Sequence, residues 1–199
     1  MSTEIYSKLY LALLRSLQKQ ETKAAVMQYN ENYRAICRLD HNGIMGGSDS
    51  FTVIGTSGIG KSSAVNRAIE LLSENGIIET QRPYSKIIPC LSVQCPFDSS
   101  VKGLLLEILR KVDEIIGSDY YTKAMRVRTT TDMLIGAVSQ VAINHIGLLV
   151  VDEIQNVVRN TNGDKLIAML TQLINNSGIS VCMVGIPESI EFFEGAMQF

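Results

Sequence analysis

The sequence predicts an α/β domain in three layers, a parallel β-sheet with helices on both faces, preceded by a helical extension. Three observations predict it. Short apolar runs alternate with amphipathic stretches, two of the runs are apolar throughout, and the connections between runs are long enough to hold a helix. A strand that is apolar on both faces must be covered on both, and strands joined through helices pair in parallel by right-handed crossovers.

Residues 1–50 read as separate from the core. Tyr6, Leu9, Tyr10, Leu13 and Leu17 form one helical stripe, and Ala24 to Leu39 forms a second, more polar helix that ends near His41-Asn42-Gly43. That stripe must be buried, either on this chain's own core or on a partner or neighbouring subunit. Gly43 to Ser50, rich in Gly and Ser, is the connector.

The core is then residues 51–199. Phe51 to Ile54 is the first strand, and Val65, Ala68, Ile69 and Leu72 mark a helix from Lys61 to about Asn75. Lys86 to Val93 is a strand, followed by a helix marked by Val101, Leu104, Leu105, Ile108 and Val112. Gly117 to Arg128 reads as a polar, tyrosine-bearing interruption, and Leu134, Ala137, Val138 and Val141 mark the next helix. Gly147 to Val151 is a strand ending in two acids, Leu166, Met169, Leu170 and Leu173 mark a helix, and Ile179 to Gly185 is a last apolar strand.

Composition bounds the function classes. The 199 residues are 46% hydrophobic, enough for one three-layer core with a small appendage. A net charge of −2 gives no global basic field of the kind that marks a nucleic-acid binder. The four cysteines, at 37, 90, 95 and 182, lack paired C-x-x-C spacing and read as reduced thiols, which implies a reducing cytoplasm. The N-terminus shows no basic region followed by an apolar block, and no apolar stretch reaches about 18 residues, so neither secretion nor a membrane is indicated.

Two motifs carry chemistry. Gly55-Thr56-Ser57-Gly58-Ile59-Gly60-Lys61-Ser62 fits G-x-x-x-x-G-K-[ST] at every fixed position, with a strand before it and a helix after. The glycines let the backbone fold back and aim its N–H groups at phosphate oxygens, and the helix N-terminus, where Ser63 follows, points the same way. Lys61 is placed to reach the β- and γ-phosphates of ATP, and the Ser62 hydroxyl to hold Mg²⁺. The second motif is the apolar run Gly147 to Val151, which delivers Asp152 and Glu153 to the C-terminal tip of a strand, where open α/β sheets bind ligands. Asp152 suits the Mg²⁺ shell, and Glu153 suits the base that orients and deprotonates water. An ordinary helix N-terminus is the competing reading of this acid pair. Lys123, Arg126 and Arg128, near Tyr120 and Tyr121, form the one compact basic segment, read either as a DNA contact repeated along an assembly or as a solvated loop.

Together the phosphate loop, Asp152-Glu153 with Ile154-Gln155-Asn156, the segment Cys95 to Leu104 and the run Val184-Gly185-Ile186-Pro187-Glu188 resemble the AAA+ regulators of DNA transposition, the TnsC/TniB-type target-selection ATPases. The resemblance covers roughly Tyr29 to Ser189. It implies a P-loop NTPase core of the AAA+ or RecA-like kind that binds ATP and Mg²⁺ and assembles as a ring or filament on double-stranded DNA. It also implies a bridge between a target-recognition protein and the transposase, with ATP hydrolysis disassembling the complex. By motif position, Lys61 and Ser62 bind the triphosphate and metal, and Asp152 and Glu153 are the acidic pair. Ile186 stands at the sensor position, where a hydroxyl or amide is usual, so Gln155 or Asn156 is the expected substitute. The sequence ends at Phe199 before the fifth strand, arginine finger and lid that the resemblance calls for, so weak hydrolysis is expected of this chain. A non-catalytic nucleotide-binding adaptor or fragment, and a replication-initiator or helicase-loader ATPase, are the alternatives.

Overall fold

The computed structural model describes residues 50–72, 76–79, 86–126, 129–158 and 163–190. The expected N-terminal helices, the boundary at residue 50 and Arg128 lie outside or at the edge of these residues. In chain order the described elements are β1 (Phe51–Ile54), α1 (Lys61–Leu72), β2 (Ile78–Glu79), β3 (Lys86–Gln94), α2 (Val101–Ile116) and α3 (Tyr120–Arg126). They continue as α4 (Thr131–His145), β4 (Ile146–Asp152), α5 (Gln155–Val158), α6 (Gly163–Ser177) and β5 (Ser180–Gly185).

The sheet runs β1-β5-β4-β3-β2. Four strands are parallel, and β2 adds a short antiparallel edge on Lys86 and Ile87. Every described residue of β5 is buried, as is β4 up to Val151, which accounts for their unbroken apolar sequence. Alternate residues serve opposite layers. Leu149 and Val151 of β4 pack with α2, α4 and α6 in the larger apolar cluster, while Leu148 and Val150 join Val65 and Ala68 of α1 in the smaller one.

Local chemistry sets the helix ends. Ser100 caps α2 by accepting from Gly103 N at 3.1 Å, and Gly117, at φ 73°, closes it by donating to Asp113 O. Thr130 caps α4, which passes into β4 with no intervening loop.

The stretch 117–128 corrects the expectation of a simple interruption, because α3 forms within it. Its first turn is capped from a distance: the Asp113 carboxylate accepts from Tyr120 N at 2.9 Å, Tyr121 N at 2.8 Å and Ser118 Oγ at 2.6 Å. Tyr120 then donates its hydroxyl to His145 Nε2, and the other ring nitrogen meets Lys86 O, both at 2.9 Å. Since Lys86 and Ile146 begin β3 and β4, α3 sits at the edge of the sheet where those strands start, opposite the edge where β1, β4 and β5 end.

Candidate functional site

The loop between β1 and α1 is exposed from Thr56 to Gly60, and Lys61 and Ser62 are half-buried at the start of the helix. Gly58 and Gly60 stand at φ 77° and 87°, the left-handed region that side chains disfavour, and this folds the loop back on itself. Lys61 Nζ donates to Gly55 O at 2.6 Å and Thr56 O at 2.9 Å, so the ammonium is held by the loop's own carbonyls. The α1 backbone starts directly from the loop, with Ala64 N on Gly60 O at 2.9 Å. Helix N-terminus, loop amides and ammonium share one small region, an arrangement suited to a polyanion.

One strand separates this loop from the acids. Ile54 of β1 pairs with Gly185 of β5, and Val151 of β4 pairs with Met183 of the same strand. Asp152 is half-buried at the tip of β4, and its carboxylate accepts from Glu153 N at 2.8 Å. Glu153 is exposed at φ 58°, a left-handed conformation that in a non-glycine residue costs about 1–3 kcal/mol and persists only where neighbours enforce it. The neighbours are visible. Cys95 N donates to Asp152 O at 2.8 Å and Ile154 N to Val184 O at 3.0 Å, so the residues on either side of Glu153 are fixed to β3 and β5. The Gln155 side chain donates through Nε2 to the Glu153 carboxylate.

The loop after β3 is stapled to this acidic turn. Asn156 Nδ2 donates to Cys95 O at 3.0 Å, and Ser99 Oγ, fully buried, donates to Asn156 O at 2.8 Å. Asn156, expected as a substitute sensor, therefore has a positional role between two loops. Burial, reinforced by the negative charges of Asp98 and Glu153, pushes the Cys95 thiol up to about 12, so it stays protonated at neutral pH. Ile186 lies half-buried directly after β5. Three residues on, Ser189 is fully buried, and sequence reading passed over it because a lone serine after a strand carries no pattern.

The basic segment is elsewhere. Lys123 belongs to α3 and pairs with Asp119 at 2.7 Å, both side chains exposed, which holds its ammonium pKa above the ordinary lysine range. Arg126 ends α3. Nothing in the described residues brings this segment to the phosphate loop or the acids.

An α/β sheet with a glycine-rich loop and lysine after one strand, and acids at the tip of a strand one removed from it, defines the P-loop nucleotide-binding class. The chain belongs to the AAA domain family, whose model matches residues 44–193, and it is accordingly an AAA+ ATPase domain. No curated protein matches it. Among solved structures it is similar to the Aeropyrum pernix ORC1 protein in complex with DNA, at 16% identity and a TM-score of 0.49, over 75% of this chain and 35% of that one. The chain thus spans about a third of the length of that protein.

Among the described residues no helix is long and apolar enough to cross a membrane.

Proposed function

We propose that this domain binds and hydrolyses Mg²⁺-ATP at the ends of β1, β4 and β5, and uses the bound nucleotide to control assembly on double-stranded DNA as a regulator of transposition. The observation that carries the nucleotide reading is the meeting of the Gly55–Ser62 loop and the Asp152-Glu153 turn across the single strand β5. In this reading Lys61 exchanges its two loop carbonyls for β- and γ-phosphate oxygens, and the amides of residues 55–63 surround the phosphates. The oxygen donors fit Mg²⁺: the Ser62 hydroxyl stands in the first turn of α1, and Asp152 supplies one carboxylate, as an ion that keeps most of its water requires. Bound there, Mg²⁺ supplies charge neutralisation of the phosphates. Glu153, turned outward from the strand tip, takes the proton of the attacking water.

The transposition reading is supported by the sequence resemblance, in particular Cys95 to Leu104 and Val184 to Glu188, with a ring or filament as the assembled form and a transposase and target-recognition protein as partners. Lys123, Arg126 and Arg128 are the proposed DNA contact. The test is anisotropy of labelled duplex DNA with the purified chain, with ATP, with a slowly hydrolysed analogue and without nucleotide, together with electron microscopy. ATP-dependent binding and ordered assemblies are expected. ATP binding with no response to DNA would reject the transposition reading in favour of a nucleotide-binding adaptor.

A further inference from the structure

We infer that Gln155 and Ser189 form a positioning pair behind Glu153, in which the serine hydroxyl fixes the orientation of the glutamine amide and the amide holds the glutamate carboxylate. The inference rests on the reading of Glu153 as the base.

Gln155 has two unlike ends. Its Nε2 donates to Glu153, so its Oε1 must turn inward, where it is buried and, among the described residues, has no hydrogen-bond partner. The reverse orientation would set a carbonyl oxygen against a carboxylate, two acceptors with no proton between them. Ser189 Oγ is also buried and likewise has no partner among the described residues. Both atoms lie against Gly185: a Cβ built there would be 3.2 Å from Ser189 Oγ and 3.5 Å from Gln155 Oε1. The absence of a side chain at 185 is what leaves them room. One atom is a free acceptor and the other carries a free donor, so a swing of the Ser189 hydroxyl, directly or through one water, satisfies both.

The consequence is directional. With Oε1 engaged by Ser189, the amide cannot rotate, and one oxygen of Glu153 is occupied in a fixed direction while the other is left for a water. Ser189 is held in its own turn by Ser189 N on Ile186 O and Ile190 N on Pro187 O, both at 3.0 Å. The turn after β5, where the sequence offers Ile186 and no polar sensor, thereby contributes to the acid site through Ser189.

The test is made on the whole chain. The side-chain amide resonance of Gln155, identified by its loss in Gln155→Ala, is followed by ¹⁵N NMR in Glu153→Gln and Ser189→Ala. Both substitutions should displace it and speed its proton exchange while the other glutamine side chains stay in place. In ATP turnover, Ser189→Ala should lower kcat by roughly tenfold with KM unchanged, as loss of orientation and not of binding requires. Wild-type turnover in Glu153→Gln would overturn the base reading and the pair's role with it. Turnover lost in Glu153→Gln, but an unmoved resonance and kcat in Ser189→Ala, would overturn the pair alone. Glu153 is exposed, so its variant tests the amide contact even where the buried alanine variant folds poorly, and the resonance decides where turnover is too slow to follow.

Discussion

Among the described residues, and beyond the bond from Gly55 N to Gly185 O, the loop after β1 is shaped by its own glycines and its own lysine, whereas the turn after β4 is tied on one side to the end of β3 and on the other to β5. The first loop can exchange Lys61's internal bonds for a ligand without disturbing the sheet. The second cannot move without breaking contacts to two other strands. The proposed site thus joins one adaptable and one fixed part, and substitutions in the two parts should fail differently.

Removing the lysine is the sharpest division. Lys61→Ala should weaken ATP by roughly 100-fold or more, about 3 kcal/mol, because charge-assisted bonds to phosphate are lost. Its melting temperature should stay close to that of the parent, and retention of ATP affinity in calorimetry would defeat the phosphate-loop assignment. Gly185→Ala should do the reverse. Its Cβ would stand 2.6 Å from Ile154 Cγ2, so denaturant unfolding should show a loss of about 1–3 kcal/mol from overpacking. Asn156→Ala cuts the staple to Cys95 O and should cost about 1–2 kcal/mol of stability, with turnover falling more than ATP affinity. Gly58→Ala meets nothing within 4 Å, so the left-handed φ of 77° alone should cost about 1 kcal/mol, read in the same unfolding experiment.

A further effect is alkaline, and it is absent at neutral pH. Burial pushes the Cys90 and Cys95 thiols to about 12, above the value near 9 of an unfolded thiol. The folded state then holds protons that the unfolded state releases, so stability is complete below pH 9 and declines as pH rises from 9 towards 12. Alkylation of Cys90, Cys95 and Cys182 in the native chain at pH 8, followed by peptide mass mapping, should be slow, and their early, complete reaction would contradict the burial.

Much of this was legible in the sequence, for physical reasons. The G-x-x-x-x-G-K-[ST] spacing is dictated by backbone geometry and phosphate chemistry, and β4 and β5 announce themselves because both of their faces are buried. What was hidden depends on distant partners. The two residues of β2 are too few for any periodicity, and α3 owes its first turn to Asp113 on the preceding helix. Asn156 gains its role from a carbonyl 61 positions earlier, and Ser189 from the Gln155 amide, which comes from the turn after β4 and meets it at Gly185. None of these is a local signal.

The placement of β5 also sets an order of events in time. β1 finds its described strand partner only at residues 182–185, and the Ser50 hydroxyl accepts from Val181 N across 131 positions. Closing so long a segment is entropically unfavourable until the intervening strands are assembled, and non-local parallel pairing is slow. A chain emerging from the ribosome therefore carries its glycine-rich loop early but without its neighbouring strand, and the proposed nucleotide site is completed only after Gly185 has been made.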